Sequence, residues 1–258
     1  MPVRTQDYTT LAHVLIERIR GKLTQMEFDL LEHDDFESWK AELARAPATL
    51  MVNPAFDPAY CDLSRARVLQ LRADDDTVGV IAGKAINGDF VELMRSGMLW
   101  YGREAGAAQQ VAVSAPPEVP ALAGRLAYFG GLWLHPRVRG TGLSSLLPRL
   151  IRAIAVRDWL PDFLCGGVLE ALAIREIPTR VYGYAHCVQI GQAVHFPLTG
   201  KEENLFMPWE SLTEWLALSQ VYLAALSLDE IEARVDPSHQ DTVRARTVVA
   251  ERQKQSMA

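Results

Sequence analysis

A strand that stops at a proline and turns at once into a glycine-opened helix leaves few choices of fold. Residues Leu132 to Ser145, LWLHPRVRGTGLSS, form such a stretch. Pro136 has no amide hydrogen with which to continue a ladder, so the strand ends there. Gly140 and Gly142 allow positive φ and a close approach of bare backbone to a ligand. A helix that begins at this point aims its unpaired amides and its dipole at one spot. Arg137 and Arg139 add charge and forked donors suited to phosphate oxygens. Such a turn is built to hold an anion, and a phosphate best of all. The plainer reading of the same residues is an ordinary helix start with solvated arginines.

The surroundings read as an alternation of helix and strand. In the first fifty residues Leu11, Val14, Leu15, Ile19 and Leu23 recur at helical steps, as do Phe36, Trp39 and Leu43 before Pro47. Pro54 and Pro58 then argue against regular structure. The stretch ARVLQLRADDDTVGVIAGKAI reads as a hairpin around Asp74 to Asp76. From Asn87 to Arg125 the pattern loosens into a long insertion, in which Trp100 and Tyr101 either cover extra core or line an acceptor pocket or acyl channel. After Gly142 an apolar helical face carries Leu143, Leu146, Leu147, Leu150, Ile151 and Ile154, with Pro148 early enough to disturb the helix without ending it. FLCGGVL reads as a strand, TRVYGYAHC as a helix beginning after Pro178, and QAVHFPL and NLFMPW as a closing pair of strands. From Leu212 the chain turns helical, with the polar stretch DTVRARTVVAERQKQSMA expected to fray.

Composition excludes several classes of function. Half of the 258 residues are hydrophobic (49%) and 22% are charged, as in ordinary globular proteins. No apolar run reaches the length of a membrane span, and the first residues lack the apolar core of a secretory signal, so a cytoplasmic protein without a membrane partner is expected. A net charge of −6 argues against nucleic acid as a partner, which would call for a basic stripe. Cys61, Cys165 and Cys187 are odd in number and widely spaced, which points to buried, unreactive thiols and to no metal site.

The run LWLHPRVRGTGLSSLL resembles motif A of the GNAT superfamily of acyl-CoA-dependent N-acyltransferases: an apolar strand, a proline, then Arg/Gln-x-x-Gly-x-Gly/Ala leading into an amphipathic helix. The match falls on Leu132, Leu134, Pro136, Arg137, Gly140 and Gly142, and the family's elements follow in order over about Arg67 to Trp209. The glycine pattern is neither a dinucleotide fingerprint nor a P-loop. The resemblance implies an α/β fold around a mixed, splayed central sheet flanked by helices, with helical N- and C-terminal additions. On this reading residues 1–50 are a helical N-terminal part, 51–211 the acyltransferase core with its insertion at 87–125, and 212–258 a helical C-terminal extension.

The resemblance also implies a site. Backbone amides from Val138 through Arg139, Gly140, Thr141 and Gly142 to Leu143 would cradle the pyrophosphate of acetyl-CoA, with Arg137 alongside. The pantetheine would run along main-chain groups of Leu132 and Leu134 into a gap beside FLCGGVL, where Gly166 and Gly167 weaken pairing. The Leu134 amide would hold the developing oxyanion. An amine of a small molecule or peptide would attack the thioester directly in a ternary complex. A tyrosine would protonate the departing thiolate, Tyr182 fitting the family's position better than Tyr184. The motif strand lacks the glutamate that some members carry there, which leaves Glu170, His135 and Glu92 as candidate bases. Two further functions stay open: a synthase using longer acyl-CoA, of the N-acyl amino acid or acyl-homoserine-lactone type, and a non-catalytic CoA-binding module. Pro148 and the absent strand carboxylate keep the module in view, and homodimer pairing through the C-terminal helix is also left open.

Overall fold

The computed structural model describes residues 5–43 and 53–235. The chain divides into two compact units, Met1–Leu216 and Ala217–Ala258. In the first unit a mixed sheet is built from β1 (Asp29–His33), β2 (Ala66–Ala73), β3 (Asp76–Asp89), β4 (Ala123–Leu134), β5 (Phe163–Gly166), β6 (Val168–Leu169), β7 (His186–Phe196) and β8 (Lys201–Ser211). β1 to β4 follow one another as antiparallel neighbours, β5 lies parallel to β4, and β8 returns antiparallel to β5. β7 takes the other edge of β8. This is the splayed α/β sheet with flanking helices that the sequence leads one to expect.

The helices are α1 (Thr5–Gln25), α2 (Phe36–Leu43), α3 (Phe90–Arg95), α4 (Met98–Tyr101), α5 (Leu143–Trp159), α6 (Glu170–Ala173) and α7 (Leu212–Val235). α5 lies on one face of the sheet, against β3 and β4, and α1 packs on α5. Ala12, Leu15, Ile16, Ile19 and Leu23 form the buried stripe of α1, spaced as a one-sided helix requires. Val14, expected on that stripe, is 45% exposed. α5 is buried on two sides, which is why its apolar face is so broad. The other face of the sheet packs on α3 and α4 and on the turns around Phe56. There Tyr128 stacks on Phe56 with ring centres 5.7 Å apart, and Trp100 meets Phe196 edge-on at 5.2 Å. Lys84, 5% exposed, donates to the Leu99 carbonyl at 2.9 Å and so ties α4 to β3.

Three local expectations need correction. Residues 29–33, read as part of a helical stretch, form the edge strand β1. Pairing with β2 overrides local periodicity there, and Glu32 in β1 pairs with Arg20, Arg67 and Arg157 from three other elements. The segment TRVYGYAHC is not a helix after Pro178. A single π turn spans Ile177–Val181 with Pro178 inside it, and β7 begins at His186. Cys165 alone of the three cysteines is fully buried; Cys61 and Cys187 are partly buried, and all three are free thiols. The end of the second predicted helix beyond Leu43 and the polar C-terminal stretch lie outside the described residues. No described helix is long and apolar enough to cross a membrane.

A buried ion pair joins α5 to β8. Arg152 and Glu210 are 2% and 0% exposed, and Arg152 Nη1 lies 2.5 Å from Glu210 Oε1. Arg152 also donates to the Gly183 carbonyl at 3.2 Å and to the Tyr182 carbonyl, while Arg149 donates to the carbonyl of Val181. Three successive carbonyls are thus held by one helix. Removing one member of such a pair leaves buried polar groups without partners, at a cost of about 3–5 kcal/mol. Arg152→Met is expected to lower unfolding free energy in urea by that amount. Adding Glu210→Leu is expected to recover most of the loss.

Candidate functional site

The site begins where two parallel strands part. β4 and β5 pair only over Leu126–Phe129 and Phe163–Gly166. After Gly167 the chain pairs with β8 alone, as β6, so it leaves β4 behind. A Cβ on Gly166 would sit 3.3 Å from the Phe129 carbonyl oxygen, so the last paired position is a close backbone approach. β4 itself bulges here. Val80 faces Trp133 and Ala82 faces Gly130, so Gly131 and Leu132 together oppose Ile81. Gly131 has φ +67°, the left-handed glycine that a bulge of this type favours.

The bulge fixes which way the main chain points. The amide of His135 donates to the Val78 carbonyl at 2.8 Å, so His135 faces β3. Strand alternation then turns the main-chain groups of Leu134, and of Leu132 two residues earlier, toward the edge that β5 has vacated. From Gly130 to Leu134 that edge has no strand partner among the described residues.

The edge leads straight into the glycine turn. Pro136–Val138 form a short 3-10 turn capped by His135, whose Nδ1 accepts from the Arg137 amide at 3.2 Å. Val138 and Leu143 are buried and anchor the two ends of the loop, while Arg139, Gly140, Thr141 and Gly142 are exposed. Gly140 and Gly142 have φ +82° and +91°, and a Cβ on either would meet nothing within 4 Å. The amides of Gly140 to Ser144 find no acceptor among the described residues, and the helical bonds start with Ser145 and Leu146 to the Gly142 carbonyl. The arginines behave differently from one another. Arg137 is committed to the hairpin, 3.1 Å from Asp76, and Arg139 folds back to the Leu134 carbonyl at 3.2 Å.

Of the two tyrosines, Tyr184 sits at the parting point. Its hydroxyl lies 3.5 Å from where a Cβ on Gly166 would be, and its buried ring lies under the Arg152 guanidinium at 4.3 Å. Burial holds its phenol well above the usual range. Tyr182 is half-buried where the π turn ends, its phenol also raised by burial. Behind Tyr184, desolvation pushes the Glu210 carboxyl up to about 7, against the lowering influence of Arg152. Glu210 Oε2 has no hydrogen-bond partner among the described residues, so the carboxyl meets Arg152 through Oε1 alone and its burial is only partly offset.

The candidate bases are scattered. Glu92 is exposed and paired with Arg95 on its own helix. His135 caps the loop and meets Trp133 edge-on at 5.9 Å. Glu170 is exposed and opens α6, one residue past β6. No group of three or more potential metal-ligating side chains occurs among the described residues.

Two residues that sequence reasoning missed complete the site. Asn53 Nδ2 and Tyr128 Oη each lie 3.1 Å from where a Cβ on Gly130 would be, so an amide and a phenol converge on the first unpaired residue of β4. Beside them a cavity of about 130 Å³ opens between β4, β6 and β8, walled by Trp100, Leu169, Phe196 and Leu205. An apolar tyrosine inside a strand gives no signal of this kind. An asparagine before a proline reads as a turn.

No protein-family model and no curated protein matches the chain. Among solved structures it is similar to FeeM, an N-acyl amino acid synthase from uncultured soil microbes, at 12% identity over 79% of this chain and 86% of that one, with a TM-score of 0.36. It is similar also to a chimera of the spermidine N-acetyltransferase SpeG from Vibrio cholerae, at 13% identity over 74% and 99%, TM-score 0.41. A third is smu.2055 from Streptococcus mutans, at 12% identity over 71% and 99%, TM-score 0.39. Likeness at this level assigns neither family nor activity.

The raised carboxyl of Glu210 has a consequence for stability. Between about pH 4.5, its ordinary value, and about 7 the folded chain keeps a proton that the unfolded chain releases. Its contribution to stability therefore falls as pH rises through that window and is flat above it. Urea midpoints at pH 5 and 7.5 are expected to show this fall, and Glu210→Gln to flatten it.

Proposed function

We propose that the protein is an acyl-CoA-dependent N-acyltransferase of the GNAT type, moving an acetyl or longer acyl group from CoA to a primary amine of a small molecule or peptide. The observation that carries this reading is the vacated edge of β4 running directly into bare amides at a helix N-terminus. An unpaired strand edge recognises an extended ligand that carries amides, because main-chain donors and acceptors recur along it. Exposed amides at a helix start recognise phosphate. A ligand that is phosphate at one end and an amide-bearing arm along the rest fits both features in their order along the chain, and CoA is such a ligand.

Within this reading the amides from Gly140 to Ser144 hold the pyrophosphate, and Leu134 and Leu132 bind the pantetheine. Arg139 stands at the same edge, while Arg137 supports the loop by fixing it to the β2–β3 turn. The Leu134 amide serves the pantetheine arm, and the thioester lies farther back along the edge, at its Gly130 end, where Tyr184 stands beside Gly166. Amine nitrogen forms a bond to the carbonyl carbon, the carbon–sulfur bond breaks, and the sulfur takes a proton from Tyr184, which the parting of the strands favours over Tyr182. Glu170, for which no ion pair is found among the described residues, accepts the amine's proton directly or through water.

Acetyl-CoA at a hundred times its dissociation constant should stabilise the protein by about 2.7 kcal/mol, which a thermal shift detects. Gly140→Trp is expected to fold, since space is open there and a non-glycine residue at positive φ costs about 1–2 kcal/mol, but to lose the shift. An undiminished shift in the folded variant would remove the cradle from the proposal. Tyr184→Phe is expected to keep the shift and to lower turnover on an amine panel by about 10²–10⁴-fold. Binding by the parent protein without turnover on any amine would make it a CoA-binding module instead.

A further inference from the structure

We propose that the acyl group handled here is an apolar chain of about six or seven carbons, with its tail in the cavity below the split sheet and with Gly167 at the mouth leaving room for it to enter. The inference rests on the acyl-CoA reading and deepens it. A donor that follows the β4 edge back from the cradle passes Leu134 and Leu132 and reaches Gly130. There the cavity begins, with Tyr128 of β4 on one side and Gly167 and Leu169 of the departing chain on the other. Whatever is attached to the sulfur therefore points at this opening.

Polarity selects the acyl tail over the amine as occupant. The polar side chains of the lining are the amide of Asn53, the phenol of Tyr128 and the indole of Trp100, and none is charged. The amide and the phenol stand at the Gly130 end, where a thioester carbonyl would lie, and the walls beyond are Met94, Phe196, Leu205 and the Trp100 ring. An ammonium or an amino acid carboxylate would lose hydration here and gain no charged partner among the lining side chains. An acetyl group would leave most of the cavity to water, against apolar walls that an apolar tail covers better.

Size sets the length. A cavity of about 150 Å³ lined by apolar side chains takes up a benzene ring, so about 130 Å³ accommodates on the order of five or six carbons beyond the carbonyl. Gly167 stands at the mouth with conformational room for a side chain: its φ is not in the left-handed region, and a Cβ there would meet only Met94 Cε, at 3.8 Å. A larger residue at this position would grow into the cavity rather than into the backbone.

The test is calorimetric binding of free CoA, acetyl-CoA, butyryl-CoA, hexanoyl-CoA, octanoyl-CoA and dodecanoyl-CoA to the full chain and to Gly167→Leu. Affinity is expected to rise by about fourfold per methylene from acetyl to hexanoyl or octanoyl and then to level off. In Gly167→Leu the gain for hexanoyl-CoA is expected to vanish, with CoA and acetyl-CoA bound as before. Equal affinity of the parent protein for acetyl-CoA and hexanoyl-CoA would overturn the inference while leaving the acyl-CoA reading intact. So would a folded Gly167→Leu that keeps the long-chain preference. Failure of the parent protein to bind even free CoA would overturn both readings.

Discussion

The organising constraint of this fold is that β5 cannot follow β4 beyond Gly166. Up to that point the two strands are close enough that even a Cβ on Gly166 would press on the Phe129 carbonyl. Past Gly167 the chain hydrogen-bonds only to β8. A parallel pair interrupted in mid-sheet exposes main-chain donors and acceptors that a continuous sheet would satisfy internally. Those groups must meet water or a ligand. The Gly131 bulge then sets the direction in which they point, and Pro136 with the glycine turn places the start of α5 at the far end of the same edge. The bare amides of the helix start, the open strand edge and the cavity are thus three consequences of one break.

The break also explains the buried charges behind it. Once β5 turns away, the segment from Ile177 to Tyr184 has no strand to pair with, and its carbonyls need donors from elsewhere. Arg149 and Arg152, one helical turn apart on α5, supply them at Val181, Tyr182 and Gly183. Burying an arginine calls for a counter-charge, which Glu210 provides from β8 at the cost of its own raised protonation. The pair is better understood as a device that fixes one geometry, the placement of Tyr184, than as a source of net stability. The same hydrogen bonds that hold the turn keep the guanidinium over the Tyr184 ring.

Much of this was legible in the residues because it depends on local rules. The hairpin around Asp74, the helix after Gly142 and the two closing strands follow from periodicity and turn chemistry, and the exposed turn with its bare amides follows from Pro136, Gly140 and Gly142. What was not legible depends on partners distant in sequence. Asp29–His33 becomes a strand because β2 offers an edge, and nothing inside those five residues says so. Asn53 and Tyr128 meet at Gly130 only because the chain before β2 folds under the sheet. Arg137 looked like a phosphate ligand from its place in the motif, yet its guanidinium serves Asp76 on the neighbouring turn. Composition could not separate those two uses of one side chain.

The two faces of the sheet carry different duties, and this bears on where specificity resides. On the α5 face every element near the split holds something fixed: the helix start, the clamped carbonyls, Tyr184. The opposite face is walled by the α3–α4 insertion and the outer strand β7, through Trp100 and Phe196, and neither piece pairs with β4. A cavity bounded by such pieces can change depth without disturbing the edge of β4 or the cradle beyond it. Gly167 lies at the junction of the two regions. Because it precedes the strand that departs with β8 and has open space in place of a side chain, it is a position where a change in size alters the room at the cavity mouth and leaves the edge of β4 as it is.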